Sequence, residues 1–353
     1  VTTILSLVFI GQLLHLLNTP KDIYNDALIF ISILLAGLVA IMVYNLAANT
    51  LRAVGNSKVP LYFLILAVFV NIALELLFIV IFKWGIAGAA FATVIAETFS
   101  GLIGFIYIYR AVPELAVRPK DFKWDKDDIR EHFRMGLPMA FQNSVLAIGG
   151  LVLTAALNSL GTDAVASSAA AQRIDQLATL PMMSLGTAVA TYVAQNLGAK
   201  LYSRIKSGVI QSLIAANVWA ILMGIVEIVF GHIRVKLFIG NSNPRVIELS
   251  NTYFWVIGSM YVFLATLFTI RYALQGLGNA KVPTTAAFVE LALRVIGAIV
   301  LVSLFKYAGA VGSNPLAWIG ATIILIPAWL NSYNKLSKLT DGQEIDRQLN
   351  PIE

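Results

Sequence analysis

The sequence contains no cysteine and only three histidines in its 353 residues. The lack of cysteine excludes a disulfide scaffold, an iron–sulfur cluster and any zinc site built on thiolates. The histidines, at positions 15, 132 and 232, lie far apart in the chain, so we expect no histidine metal site. Neither a Walker nucleotide loop, a Gly-x-Ser-x-Gly elbow nor a His-Glu-x-x-His helix is present in the sequence. We therefore expect neither an enzyme nor a bound cofactor.

Charged residues are also scarce, at 12% of the chain against about 25% in soluble domains. Hydrophobic residues reach 58%, compared with about 45–50% in soluble domains. A water-facing surface cannot be built from so few charges, and this excludes an ordinary soluble protein. The net charge of +6 is spread between apolar runs, which favours a lipid bilayer as partner and not nucleic acid.

Ten apolar stretches are long enough to cross about 30 Å of hydrocarbon as helices, which takes roughly 17–25 residues each. Long uncharged runs lack the alternation of a barrel strand, so helices are the expected structure. The stretches cover residues 1–17, 27–49, 60–82, 85–109, 136–160, 166–198, 207–231, 249–270, 283–305 and 314–333. The sequence therefore predicts an all-α polytopic protein of the plasma membrane.

The distribution of lysine and arginine predicts the orientation of the chain. One alternating set of connections, which includes the C-terminal tail, carries 17 of these residues, and the opposite set carries 6. The richer set follows residues 49, 109, 198, 274 and 333. Because basic residues accumulate in cytoplasmic loops, these connections and the C-terminus are expected in the cytoplasm.

The sequence contains an internal repeat at an offset of 223 residues. Leu51–Pro60 recurs as Leu274–Pro283, and Phe82–Trp84 recurs as Phe305–Tyr307. Six segments, an even number, separate the copies, so both halves insert the same way up, as in one class of transporter repeats. The second half contains six segments and the first four, and we expect about two further N-terminal helices and twelve in the complete protein.

This repeat defines the expected domains. They are an N-terminal lobe of four helices over residues 1–109, a cytoplasmic linker over 110–135, a six-helix C-terminal lobe over 136–334 and a cytoplasmic tail over 335–353. Within the linker, the alternation of charged and apolar residues over Trp124–Phe133 predicts a short surface helix.

Several motifs resemble those of the multidrug and toxic compound extrusion (MATE) family. They are the loop Arg52–Pro60, the motif Asn71–Glu75 that follows it, and Gly136–Asn143, Ala171–Asp175 and Ala194–Ala199. The resemblance extends over essentially the whole chain, from the family's third helix to just past its twelfth. It implies a V-shaped pair of six-helix lobes that exports organic cations in exchange for sodium ions or protons, and we expect a monomer.

Seven ionisable residues lie inside the apolar segments. They are Glu75, Glu97, Arg173, Asp175, Glu227, Glu290 and Arg294. Charges within a membrane are costly, and each is by default a functional candidate. With five carboxyl groups against two guanidinium groups, the interior is expected to attract cations.

Glu75 is the strongest candidate for ion coupling. Asn71 precedes it by four residues and shares its helical face. Oxygen atoms are the ligands that hard cations such as sodium prefer, so Glu75 and Asn71 form a possible sodium site. Without a cation, the buried acid should hold a proton near neutral pH. The resemblance to the MATE family adds Asn45 and Thr93, although that family usually has Asp where this chain has Glu75. Alternatively, Glu75 only belongs to a polar cluster that holds the lobe together.

The other intramembrane charges allow more than one interpretation. Glu290 and Arg294, four residues apart, are expected to form a structural salt bridge, with gating or proton relay as the alternative. Asp175 and Arg173 are two residues apart and cannot pair on a regular helix. Facing a cavity, Asp175 could contact a cationic drug and Arg173 could tether the lobe. Glu227 lies four residues from a predicted segment end, from which its carboxyl could reach the headgroups, and is interpreted as structural.

The sodium-coupled branch of the MATE family carries a carboxylate on its seventh helix and another on its tenth. This chain has Gln142 and Asn143 on the seventh helix, and no charge within Leu249–Ile270, so we do not expect that second-lobe ion site. Gln142 and Asn143 could bind substrate or hold helices together. Tyr261 could line a cavity, although its helical spacing favours a core position.

Two other functions compete with drug export. A lipid-linked oligosaccharide flippase of the same superfamily would present a mainly basic cavity. A receptor or membrane scaffold would tolerate the neutralisation of Glu75 and Asp175.

Overall fold

The computed structural model describes residues 2–16, 21–116, 125–239 and 244–343. Throughout these ranges the chain is helical, without a strand, which confirms the prediction of an all-α protein. The chain divides into two compact units, Val1–Lys123 and Trp124–Glu353.

The first unit is built around one central helix. Its helices are α1 (Thr2–Leu16), α2 (Lys21–Ala36), α3 (Leu38–Ala53), α4 (Lys58–Glu75) and α5 (Gly85–Ala111), with a π-helical segment at Leu76–Ile81 and a 3-10 turn at Pro113–Leu115. Helix α5 packs against α2, α3 and α4. Small residues allow this central position: a Cβ on Gly101 of α5 would lie 3.0 Å from the backbone nitrogen of Tyr44 on α3.

The second unit contains the larger core. Its helices are α6 (Lys126–Asn158), α7 (Thr162–Gly198), α8 (Tyr202–Ile239), α9 (Pro244–Gly258), α10 (Tyr261–Gly276), α11 (Lys281–Phe305) and α12 (Tyr307–Ser337). Helix α10 packs against α7, α8 and α12, and α11 packs against α6 and α12. Large side chains such as Tyr202, Phe254 and Tyr261 are fully buried between them.

The helices have the length and composition of membrane spans. Among the described residues, seven helices are long and apolar enough to cross a bilayer, and up to nine spans result if two bent helix pairs each count as one. The bends measure 46° between α2 and α3 and 49° between α9 and α10. The predicted segment 1–17 corresponds to α1, a shorter apolar helix. A multi-pass membrane protein is thus confirmed.

The backbone repeats at the offset found in the sequence. Helices α3 and α10 begin and end 223 residues apart, and each follows a bend. Gly55 and Gly278 have φ angles of 84° and 82°, and Lys83 and Lys306 have φ angles of 57° and 51°. Lysine rarely adopts a positive φ, so the shared strain at the α4–α5 and α11–α12 connections indicates two copies of one backbone.

The connection between the units differs from the sequence prediction. In place of a separate surface helix at Trp124–Phe133, residues from Lys126 onward are the first turns of the long helix α6. The carboxylate of Asp125 caps this helix by accepting hydrogen bonds from the backbone N–H groups of Asp127 and Asp128. Trp124 lies outside the described residues. Pro138 is accommodated inside α6, so the predicted boundary at residue 136 is not a helix end.

Candidate functional site

The first unit brings two of the predicted ion-coupling residues together. Asn71 of α4 donates a hydrogen bond from Nδ2 to Oγ1 of Thr93 on α5, at 3.4 Å. Thr93 in turn donates to the backbone carbonyl of Ala89, at 3.1 Å. Both side chains are half-buried. The contact brings the side-chain amide of Asn71 and the hydroxyl of Thr93 together between two apolar helices.

Glu75 lies one turn along α4 from Asn71 and is half-buried. It forms no hydrogen bond or ion pair with the described residues. The helix changes to π-helical geometry at the following residue, Leu76, and such distortions are frequent at functional sites. Asn45 is exposed and donates to the carbonyl of Ile41 on its own helix, at 2.9 Å. The ion-coupling role of these four residues therefore stays a prediction.

A second polar group, in the second unit, joins three helices through Tyr261. Its hydroxyl lies 2.6 Å from Oε2 of Glu227 on α8 and also hydrogen-bonds to Oδ1 of Asp175 on α7. Glu227 and Tyr261 are fully buried, and Asp175 is half-buried. Two carboxyl groups thus share one phenol inside the predicted membrane region.

The bend between α9 and α10 positions this tyrosine. Tyr261 is the first residue of α10, directly after the break. Gly258 ends α9 and lies against Gly224 of α8, where a Cβ would meet the Gly258 carbonyl oxygen at 2.4 Å. Because neither glycine has a side chain, the two backbones approach closely, and Glu227, one turn along α8, reaches the tyrosine.

A group of hydroxyls lies beside the carboxyl pair. Ser167 Oγ lies 3.0 Å from Ser250 Oγ and 3.0 Å from the Tyr307 hydroxyl. Ser168 Oγ hydrogen-bonds to the same tyrosine at 3.0 Å. Tyr253 is close enough to both carboxyl groups and to Tyr307 to interact with them electrostatically. These contacts connect α7, α9 and α12, so the polar group extends across the core of the second unit.

The predicted Glu290–Arg294 pair forms, with 3.8 Å between Glu290 Oε2 and a terminal nitrogen of Arg294. Arg271 of α10 also pairs with Glu290, and Arg294 Nε donates to Oδ1 of Asn314 at 3.1 Å. Arg271 lies one residue beyond the predicted segment 249–270, and the count of basic residues therefore assigned it to the following connection, which was wrong. Helix α10 continues to Gly276, so Arg271 is buried within it.

The remaining candidates occupy separate environments. Gln142 is buried and accepts a hydrogen bond from Gln275 at 3.1 Å, whereas Asn143 is exposed. Arg173 is exposed and Asp175 bonds Tyr261, so the two do not pair, as their spacing predicts. Of these residues, only Gln142 and Asp175 contribute to polar contacts inside the second unit.

Comparison with known proteins identifies the family. The MatE family profile matches residues 1–77 and 138–300. The chain belongs to the MatE family. It is therefore a member of a family of membrane transporters.

Relatives of this MatE chain include the probable multidrug resistance protein YpnP of Bacillus subtilis, which is 31% identical over 75% of the chain. The aligned region spans 59% of YpnP, so the chain corresponds to about three fifths of that relative.

Two solved structures share the fold. A MATE protein in a bent conformation has a TM-score of 0.86 at 19% identity, over 96% of this chain and 75% of that one. A MOP superfamily transporter from Pyrococcus furiosus has a TM-score of 0.84 at 20% identity, over 96% of this chain and 76% of its own. The latter is described as having a binding pocket of reversed polarity that suggests a different function.

The sequence analysis of this MatE chain did not predict the full burial of Glu227 or its contact with Tyr261. Its carboxyl was expected to reach the headgroups because the apolar run ends near Gly231, but α8 continues to Ile239 and the side chain is fully buried. Nothing in the spacing could have revealed its partner, since Glu227 and Tyr261 lie on different helices. The presence of two acids and a tyrosine within apolar segments was the only available signal.

Proposed function

We propose that this protein is a secondary active multidrug efflux antiporter that exports cationic amphipathic compounds in exchange for protons or sodium ions. The contact between Asn71 and Thr93, one turn from Glu75, carries this proposal. MatE membership and the multidrug resistance assigned to relatives such as YpnP support it. We further expect a monomer in the plasma membrane with its C-terminus in the cytoplasm.

The proposed mechanism is competition for one electrostatic compartment. A proton or sodium ion that binds at Glu75 from the outside neutralises the carboxylate and removes part of the attraction for a cationic drug. A change of only about 1.4 kcal/mol in the binding free energy lowers drug affinity tenfold. The drug then leaves, and the ion is carried inward as the transporter returns.

Replacing Glu75 with Gln tests the mechanism, because the amide keeps the shape of the side chain and removes its charge. We expect Glu75→Gln to abolish drug efflux driven by a pH or sodium gradient while leaving membrane insertion intact. Efflux is measured in everted vesicles that contain the full product of the gene encoding this chain. Glu248→Gln, at an exposed position on α9, serves as control and should retain the wild-type rate.

Wild-type efflux in the Glu75→Gln protein, at equal expression, would remove Glu75 from the mechanism. Loss of efflux in the Glu248→Gln control as well would show that the assay reports protein damage and not coupling.

One observation favours the alternative function, a lipid-linked oligosaccharide flippase. Arg271 and Arg294 surround the single carboxylate of Glu290, which leaves one excess positive charge. Against this alternative, the charges within the helices stay net acidic even when Arg271 of α10 is included, with five carboxyl groups and three guanidinium groups. Reconstituted protein that translocates lipid-linked oligosaccharide without driving efflux of organic cations would favour this alternative over export of cationic drugs.

A further inference from the structure

Two hydrogen bonds converge on the hydroxyl oxygen of Tyr261, and they need two hydrogen atoms. The phenol supplies one hydrogen. An ionised carboxylate has none to give, because its oxygens only accept. If Asp175 and Glu227 were both ionised, one of the two contacts would press a carboxylate oxygen against a phenol oxygen with no hydrogen between them.

The short distance between Tyr261 and Glu227 indicates that a proton, and not a metal ion, joins the tyrosine hydroxyl to the second carboxyl group. The 2.6 Å between Tyr261 Oη and Glu227 Oε2 falls in the range of about 2.5–2.7 Å for hydrogen bonds to charged oxygens. Oxygens that share a cation as ligands are held farther apart by the ion between them. One of the carboxyl groups must therefore carry the second hydrogen.

The surroundings of the pair supply no obvious counter-charge for Asp175. Within the described part of the chain, Asp175 forms no ion pair with a lysine, arginine or histidine. Among the described titratable groups, Tyr253 of α9 faces both carboxyl groups, and Tyr307 of α12 lies beyond it. An ionised Asp175 would therefore lie beside a second carboxyl group in a low-dielectric region without a basic partner among the described residues, which is costly.

We propose that Asp175, Glu227 and Tyr261 form a proton-binding site in the second unit, in which the two carboxyl groups share one proton through the tyrosine hydroxyl. The shared proton enters and leaves through Asp175, because the Asp175 carboxyl is half-buried whereas Glu227 is fully buried. The site lies on α7, α8 and α10, apart from the first-unit group around Glu75. It is proposed whether or not the protein exports drugs.

Loss of the proton has a structural consequence. The phenol hydrogen then serves one carboxylate, and the other carboxylate must move away from Tyr261. Because Tyr261 begins α10 at the 49° bend, the contact that is lost lies at the break between α9 and α10.

The test is infrared difference spectroscopy of the reconstituted full chain, which detects the carbonyl band of a protonated carboxyl group. We expect one such band to be lost at neutral pH in Asp175→Asn and likewise in Glu227→Gln. In each variant the remaining carboxylate accepts the phenol hydrogen and needs no proton. Glu75→Gln, in the first unit, serves as control and should leave this band unchanged, whatever its effect on efflux.

Three results would overturn the proposal. If the wild type and Asp175→Asn show the same carboxyl bands, the pair carries no proton. If a Glu band that is lost in Glu227→Gln persists in Asp175→Asn, each carboxyl holds its own proton. If sodium removes the wild-type band at constant pH while potassium does not, the site is a sodium-binding site. Where the variants do not elute as folded protein, ¹³C labelling of aspartate carboxyls in the wild type should shift the same band.

Discussion

Glu290 is the shared partner of two arginines inside the second unit, Arg271 and Arg294. The carboxyl and the Arg271 side chain are almost completely buried, at 2% and 3% exposure. Such a cluster has little net stabilising effect compared with apolar residues, but removing one member leaves the others without compensation. Glu290 is the critical member because it is the only described carboxylate that pairs with either arginine.

We expect Glu290→Gln to lower the free energy of unfolding by about 3 kcal/mol, because the buried guanidinium group of Arg271 and the partly buried one of Arg294 lose their counter-charge. Unfolding in mixed micelles, followed by tryptophan fluorescence, measures the change. Glu248→Gln removes the carboxylate of the exposed Arg245–Glu248 pair and should change the value by less than about 1 kcal/mol. Equal effects of the two substitutions would contradict a special role for burial.

At the scale of helix packing, the contact between α8 and α9 depends on a pair of glycines. The backbones of Gly224 and Gly258 meet without intervening side chains, and a Cβ on Gly224 would lie 2.4 Å from the Gly258 carbonyl oxygen. That oxygen belongs to the backbone, so it cannot rotate away as a side chain would. The same approach brings Glu227 to Tyr261.

Gly224→Ala should therefore force α8 away from α9 and destabilise the protein by about 1–3 kcal/mol, as overpacking usually does. The same fluorescence measurement in mixed micelles tests this. Gly150→Ala is the matched control, because Gly150 also lies inside a helix but a Cβ there meets nothing within 4 Å. A loss of stability in the control, with none in Gly224→Ala, would refute the close-packing argument.

The segment after α12 is attached to the connection between α7 and α8. The Asp341 carboxylate accepts hydrogen bonds from the backbone N–H and the hydroxyl of Ser203. Gly342 donates its N–H to the Lys200 carbonyl at 2.8 Å. The Ser203 hydrogen bonds hold the pKa of Asp341 below its ordinary value of 3.8. A lowered pKa in the folded state means that the attachment is complete above the ordinary value and weakens as pH falls through the folded-state pKa.

A spin label on Lys338→Cys should report this attachment in a chain that has no other cysteine. We expect the label to become more mobile as pH falls below the ordinary aspartate range. In Asp341→Asn, which cannot titrate, mobility should be raised at every pH and show no such transition. An unchanged transition in Asp341→Asn would assign it to another group.

At the scale of the whole chain, the attachment of Asp341 to Ser203 places the α7–α8 connection and the C-terminal segment at the same end of the second unit. The sequence predicts both on the cytoplasmic side from their lysine and arginine content. Because Arg271 lies inside α10, it no longer counts among the basic residues of the predicted cytoplasmic connections, but these connections still hold far more lysine and arginine than the opposite set. Which end faces the cytoplasm stays a prediction.

Labelling of single cysteines from outside the cell tests this orientation. We expect a reagent that does not cross the membrane to modify Thr162→Cys, at the start of α7, and not Asp127→Cys, in the first turn of α6. Both positions are exposed in the structure, so accessibility differs only by the side of the membrane. Permeabilised cells provide the control, in which both should react. The reverse pattern in intact cells would invert the topology.

Much of the helical architecture could be predicted from local pattern. The length of the apolar runs predicted the spans, and the repeat at an offset of 223 residues predicted two copies of one unit. The matching bends and the strained connections at Lys83 and Lys306 were found only in the structure. The helix ends were less predictable, because apolar character stops before the helix does. Arg271 and Glu227 were both misplaced for this reason, since α10 and α8 continue beyond the hydrophobic runs.

The sequence by itself determined membrane residence, helical class, the duplication and the set of charged side chains that a bilayer must accommodate. These follow from composition and spacing, which act along the chain. Only the tertiary structure decided which charges meet: Glu290 with Arg271 as well as Arg294, and Asp175 with Glu227 through Tyr261. Such partners lie on different helices, and their contact depends on close backbone approaches and on bends between helices. Linear spacing does not encode these distances, because each depends on how several helices pack at once.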